Sequence, residues 1–157
     1  MSKFLAFDSP IGKLTIESSQ TAITALYFQG EIGEVSSSST PLLEKAKTQL
    51  EEYFSGTRQA FSVPLASQGT PFRQKVWAEL LNIPYGETRT YGEIAAFIGN
   101  PKASRAVGGA CNANHLPIFI PCHRVIGTSG HLTGFACGLS TKIALLEIEG
   151  SLPEPRM

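Results

Sequence analysis

Thr90 and Glu93 stand three residues apart, an apolar face of Ile94, Phe97 and Ile98 follows, and Gly99 then ends the run just before Asn100-Pro101. Thr-x-x-Glu is capping-box spacing, and a glycine followed by Asn-Pro closes one helix and opens another at once. Two short helices meeting at so tight a turn read as a helix-turn-helix, which strongly limits the folds open to this part of the chain. The second of these helices is rich in small residues: Ala103, Ala106, Gly108, Gly109 and Ala110. Each glycine weakens a helix by up to ~1 kcal/mol, so the pattern calls for a reason. Close helix packing and close approach to a nucleic-acid groove both supply one, and composition does not separate them. Upstream, Thr70-Pro71 opens a helix whose Phe72, Val76, Trp77, Leu80 and Leu81 form one apolar stripe, read as core.

The first half has a different character. Phe4–Asp8 and Lys13–Ser18 read as strands joined at Ser9-Pro10-Ile11-Gly12, with a third strand over Ala22–Phe28. Thr40 and Pro41 look like an N-cap and first-turn proline, after which Leu43, Ala46, Leu50, Tyr53 and Phe54 recur at helical spacing until Gly56. Phe61–Leu65 is read as an edge strand and Ala66-Ser67-Gln68-Gly69 as a linker. The expected organisation is therefore an α/β domain over 1–66, a mainly α domain over 67–150, and a loose tail over 151–157. No internal repeat is present.

With 157 residues, 42% of them hydrophobic and 17% charged, the chain can form one core or two small ones. No stretch approaches the ~18 apolar residues of a membrane span and no leader pattern opens the sequence, so a cytoplasmic protein is expected. Three cysteines, an odd number, argue against a disulfide framework. His115, His123 and His131 form no cluster and no Cys-x-x-Cys pair occurs, so no metal and no cofactor are expected. The net charge of zero hides an asymmetry: residues 68–126 carry six basic and three acidic side chains, whereas residues 1–67 carry five and seven. A phosphate-facing surface would lie on the second half, although this signal alone is weak.

Pro121-Cys122-His123-Arg124 follows the apolar run Ile118-Phe119-Ile120. Only the thiolate is a good nucleophile, so a neighbouring base or positive charge is what makes a cysteine reactive, and His123 and Arg124 offer both. Adjacent residues on an extended chain point to opposite faces, so the thiol and imidazole cooperate only if Pro121 bends the chain. From these four residues alone, a buried cysteine beside a surface histidine is an equal reading.

Read in order, Gly86-Glu-Thr-Arg-Thr-Tyr91-Gly-Glu-Ile-Ala, Asn100-Pro-Lys-Ala-Ser-Arg105-Ala-Val-Gly-Gly109, Asn114 and Ile120-Pro-Cys122-His-Arg-Val-Ile126 resemble the O6-alkylguanine-DNA alkyltransferases, the methylated-DNA–protein-cysteine methyltransferases. The likeness runs from about Thr70 to Gly150. It implies a ribonuclease-H-like α/β domain followed by a winged helix-turn-helix domain, and direct repair of DNA. A methyl or larger alkyl group on guanine O6, with thymine O4 a further candidate, would pass irreversibly to Cys122 after the nucleotide is flipped out. His123 would take the thiol proton through a water and pass charge to Glu149, while Asn114 would fix the turn holding the thiol. Lowering of the thiol pKa by this network would favour the thiolate. Arg105 would replace the flipped base in the stack, and Tyr91 would crowd the flanking phosphate and bond the base. Thr90, Ser104, Ala106 and Gly108 complete the expected contacts to double-stranded DNA in its minor groove. Tyr91, Val125, Phe135, Ala136 and Cys137 would line the alkylguanine pocket, with the carbonyls of Cys122 and Val125 and the amide of Ala136 reading the guanine edge. The implied protein is a chromosome-associated monomer.

One departure from the family pattern is Cys137 in Gly134-Phe-Ala-Cys137-Gly138, where two glycines are usual. A side chain there should narrow the pocket or stiffen its loop. Read without the resemblance, Glu149 is a surface residue whose charge opposes a helix dipole. Three other functions remain open: an alkylguanine-recognition protein without catalysis, a thiol-sensing winged-helix regulator and, least well supported, a cysteine hydrolase.

Overall fold

A computed structural model describes residues 2–127 and 138–151. The chain forms two compact units, Met1–Ser67 and Gln68–Met157.

In the first unit, β1 (Lys3–Ser9), β2 (Gly12–Ser18) and β3 (Ile23–Tyr27) make an antiparallel sheet in chain order. Leu5 and Phe7 alternate inward from β1 and meet Leu14 and Ile16 of β2 in the core. Helix α1 (Pro41–Phe54) covers the sheet with Leu43, Ala46, Leu50 and Tyr53, and Thr40 caps it by accepting from the Leu43 amide. The edge strand expected over Phe61–Leu65 does not form. Only Leu65 bridges to Ile23, through Ile23 N–H to the Pro64 carbonyl and Ala66 N–H to the Ile23 carbonyl, both at 2.9 Å. Pro64 has no amide hydrogen to give a ladder. The Ser62 amide is taken instead by the buried Gln49 side chain at 3.0 Å, which donates back to Ser62 Oγ at 2.7 Å.

The second unit opens with α2 (Pro71–Leu80), capped by Thr70. Val76, Trp77 and Leu80 are buried, whereas Phe72 is half-buried and Leu81 exposed, so the inward stripe is narrower than expected. Trp77 Nε1 donates to the Ala110 carbonyl at 2.8 Å and ties α2 to helix α4 (Ser104–Asn112). Both halves of the capping box form at the start of α3 (Tyr91–Phe97), with Glu93 N–H to Thr90 Oγ1 at 3.0 Å and Thr90 N–H to Glu93 Oε1 at 2.8 Å. Ile94, Ala95 and Ile98 face inward, but Phe97, expected on that face, is 57% exposed. At 100° per residue it lies roughly 100° around the helix from the centre of their stripe. Gly99, at φ +83°, ends α3 in the left-handed region.

The next helix does not begin at Asn100-Pro101. Those residues form a turn closed by Ala103 N–H to the Asn100 carbonyl at 3.0 Å, and α4 starts at Ser104. Asparagine first and proline second are the residues a β-turn favours, and here they outweigh their value as a helix start. The short strands β4 (Arg89–Thr90) and β5 (Val125–Ile126) pair in parallel, which joins the start of α3 to the segment after Cys122. Helix α5 (Leu139–Ile148) completes the described unit.

Gly69 is fixed by close approach: a Cβ there would stand 2.6 Å from Trp77 Cη2, and the ring is held by its bond to Ala110. Gly69→Ala is expected to cost about 1–3 kcal/mol by overpacking, read in thermal or urea unfolding. An unchanged midpoint would show that the ring can yield.

Candidate active site

Pro121 bends the chain. Its backbone, at φ −80° and ψ 64°, is an inverse γ-turn closed by Cys122 N–H to the Ile120 carbonyl at 2.8 Å. Cys122–Arg124 then form one 3-10 turn, with Arg124 N–H on the Pro121 carbonyl at 3.0 Å, so neighbouring side chains fan around a turn. The loop before it is held by Asn114, whose Oδ1 accepts from Leu116 N–H and whose Nδ2 donates to the Ile120 carbonyl, each at 2.9 Å. Within this loop Ile118 sits at φ 73°, the one non-glycine residue at positive φ among those described. For a β-branched residue that conformation costs on the order of 1–3 kcal/mol. It persists because Ile118 is buried and both ends of the loop are tied.

Cys122 is 3% exposed. Burial pushes its thiol up to about 11, and the hydrogen bond from Asn114 and the charge of Lys142 reverse only part of that rise. The expectation that the surroundings would lower the thiol pKa is thus corrected: the resting thiol is held protonated. Arg124, expected to lend its charge to the thiol, gives it to Glu149 instead. Its Nε and Nη2 donate to Oε1 and Oε2 at 2.8 and 3.1 Å, and Nη1 donates to the Ile83 carbonyl at 2.8 Å. The guanidinium also lies 5.7 Å from the Tyr85 ring centre.

Glu149 is buried rather than on the surface, where isolated sequence reading put it. His123 Nε2 stands 2.6 Å from its Oε2. A carboxylate gripped by a guanidinium stays ionised and accepts, so Nε2 carries the proton and Nδ1 the lone pair. Nδ1 is buried and has no hydrogen-bond partner among the described residues. Burial lowers the His123 pKa, and Glu149 opposes this only in part. The imidazole is therefore neutral at pH 7, with its basic nitrogen available.

Around this centre, Tyr91 opens α3 and Thr90 caps it. On α4, Val107, Ala110 and Cys111 turn inward, Arg105, Ala106 and Gly109 are exposed, and Ser104 and Gly108 are half-buried. The small residues of this helix now divide. A Cβ on Gly108 would meet the Tyr91 ring at 3.8 Å, an ordinary contact, whereas one on Gly109 would meet nothing within 4 Å. Internal packing accordingly gives no reason for Gly109. Val125 is buried, and its carbonyl accepts from Lys142 Nζ at 2.6 Å. Phe135, Ala136 and Cys137 lie outside the described residues. Among those described, no group of three His, Cys, Asp or Glu side chains is placed to hold a metal ion.

Sequence reasoning missed Lys142, which is 1% exposed. A signal for it was present: Lys142, Leu145, Leu146 and Glu149 fall at i, i+3, i+4 and i+7, so the stripe that buries two leucines must also bury a lysine and a glutamate.

Family models describe the same two units. The ribonuclease-like domain of 6-O-methylguanine DNA methyltransferase matches residues 4–67, and its DNA-binding domain matches residues 71–151. The constitutive methylated-DNA–protein-cysteine methyltransferase of Bacillus subtilis is 48% identical over 95% of this chain and 96% of its own. That of Methanosarcina acetivorans is 47% identical over 94% and 98%. Among solved structures, Mycobacterium tuberculosis OGT in complex with DNA superposes with a TM-score of 0.86 at 47% identity, covering 95% of this chain and 93% of that one. With the buried Cys122–His123–Glu149 arrangement in place and both domains matched along nearly the whole chain, this protein belongs to the methylated-DNA–protein-cysteine methyltransferase family.

Proposed function

We propose that this protein repairs DNA by moving a methyl group from guanine O6 irreversibly onto its own Cys122. The observation that carries the reading is the state of His123, which is neutral, oriented by Glu149 through Nε2, and left with a basic Nδ1 that has no partner among the described residues, in the segment that bears the thiol. A thiol held up at about 11 needs such a base, because little thiolate exists at neutral pH without one. His123 Nδ1 takes the proton, through a bridging water, as sulfur attacks the alkyl carbon in line. The carbon–oxygen bond breaks, its electron pair goes to guanine, and the proton the thiol lost is the one guanine needs. No later step removes the alkyl group, so each molecule acts once. Asn114 positions the thiol and Glu149 stabilises the imidazolium.

O6-alkylguanine inside a duplex is out of reach of an in-line nucleophile, so the nucleotide must be flipped. Arg105, exposed on α4, is the residue to fill the gap, and Tyr91 the one to crowd the flanking phosphate and bond the base. Thr90, Ser104, Ala106 and Gly108 contact the backbone in the minor groove, and the Val125 carbonyl reads guanine. Phe135, Ala136 and Cys137, which lie outside the described residues, are assigned to the same pocket by the family resemblance. Residues 1–66 and 67–150 serve as the two domains and 151–157 as a tail. No helix among the described residues is long and apolar enough to cross a membrane, and the protein is assigned to the cytoplasm, acting on the chromosome as a monomer without cofactor.

Incubation with a duplex containing O6-methylguanine should add one methyl mass to Cys122, and Cys122→Ser should remove the addition while leaving binding. Tight binding with no transfer by the natural chain would favour a recognition protein instead. The pH profile carries its own sign. Burial puts the folded His123 pKa below its ordinary 6.5, so the base is lost only at more acid pH. The transfer rate should stay level from pH 8 down to about 6.5 and fall below it, whereas His123→Asn should lower the plateau by roughly 10²–10⁴-fold. An acid midpoint at or above the ordinary value would show that Glu149 outweighs burial. Gly109→Ala should stabilise the free protein by about 0.5–1 kcal/mol yet weaken DNA binding, and unchanged affinity would remove α4 from the DNA surface.

A further inference from the structure

Lys142 is the most deeply buried charged group whose partner the mechanism does not explain. It is 1% exposed, and its ammonium forms no ion pair with a carboxylate among the described residues. Nζ donates to the Val125 carbonyl at 2.6 Å and lies 5.8 Å from the centre of the Tyr91 ring. Neither contact accounts for the charge. A glutamine would also satisfy a carbonyl, a methionine would also fill the space against an aromatic ring, and an unpaired buried cation is expensive to keep.

The groups facing Lys142 show what the charge is for. Burial lowers the Lys142 pKa, and Cys122 and Cys111 are the two groups that would oppose this if they became anions; its own charge in turn works against protonation of His123. Of the two thiols, Cys111 lies on α4, and burial raises it with no amide hydrogen bond to oppose the rise. Cys122 has the Asn114 amide to oppose its rise and His123 beside it in the chain. The Val125 carbonyl fixes the ammonium at the end of the 3-10 turn that begins with Cys122, since Val125 N–H bonds the Cys122 carbonyl.

We propose that Lys142 is a positioning residue of electrostatic kind, the fixed positive charge against which Cys122 ionises, set in place before its anion exists. The inference rests on Cys122 being the reacting nucleophile. During transfer one negative charge arises on sulfur as its proton leaves for His123, then passes to guanine as the sulfur–carbon bond forms and the carbon–oxygen bond breaks. Lys142 keeps its own proton throughout. A preformed cation in a water-poor site favours both anionic stages without having to reorganise.

The test is the pH dependence of Cys122 alkylation by iodoacetamide in the full chain, read by peptide mass, which forms the sulfur–carbon bond, releases iodide and needs no DNA. Lys142→Gln, which keeps a donor for Val125 and loses the charge, should raise the midpoint by about one pH unit and slow alkylation at neutral pH roughly tenfold. Lys142→Arg should restore most of the loss. A folded Lys142→Gln protein with the natural midpoint would overturn the proposal. Should Lys142→Gln fail to fold, Lys142→Met, which fills the space against the Tyr91 ring without the charge, is read by the same midpoint, and the natural value there would overturn the proposal equally. Normal iodoacetamide behaviour with no methyl transfer from DNA would count against the repair reading and leave the role of Lys142 standing.

Discussion

The carboxylate of Glu149 is buried, and three donors from two side chains converge on it: Arg124 through two nitrogens and His123 through one. Removing one partner from a buried ion pair costs about 3–5 kcal/mol, because the other is left charged without compensation. The Glu149–Arg124 pair is therefore a fixture of the second unit before it is a part of any reaction. Arg124 is also held by the Ile83 carbonyl, so the segment after α2, the 3-10 turn and the end of α5 are locked to one another. The geometry of the candidate site follows from this lock. Because arginine keeps Glu149 ionised, His123 must turn its protonated nitrogen towards it, and the basic nitrogen is left free of any described partner.

For the proposed reaction a buried thiol is a costly nucleophile, since holding it up at about 11 rather than the ordinary 9.0 makes the thiolate harder to reach by about 3 kcal/mol. The same burial keeps bulk solvent from a residue that the proposed reaction uses only once, and slows its loss to adventitious electrophiles. Activation is then assembled from parts that act locally: the Asn114 amide, the Lys142 charge and a neutral imidazole. None of them has to make a free thiolate at rest. Together they need only lower the energy of one that forms as the alkyl carbon arrives.

Much of this was legible in the sequence where a local rule governs. Thr40, Thr70 and the Thr90–Glu93 box cap the helices that their spacing predicts, because a cap involves residues three apart. The errors arose where a distant partner decides or where two local uses compete. Gln49 of α1 captured the backbone of Ser62 and prevented an edge strand. Asn100-Pro101 had two local uses, and turn closure took precedence over helix initiation. At the site, Cys122 and His123 announced themselves by adjacency. The fate of Arg124 did not, because its partner lies 25 residues away on another helix. Lys142 was hidden by a habit of reading lysine as surface, although its place on the Leu145–Leu146 stripe left it nowhere to go but inward.

Ile118 shows how the two halves of the site depend on each other. A β-branched residue at φ 73° is strained, and a chain free to relax would shed that strain by moving the apolar run and the thiol after it. Asn114 prevents this by holding Leu116 and Ile120 with opposite ends of one amide. Asn114 in turn follows directly on α4, whose Ala110 carbonyl is pinned by Trp77. The helix that presents Arg105 and Gly109 outward and the loop that presents Cys122 inward are thus successive parts of one tied segment. A load placed on the outer face of α4 has a short covalent and hydrogen-bonded route to the thiol, which is the arrangement a protein needs if contact with DNA and attack on a flipped base are to be made by the same small domain.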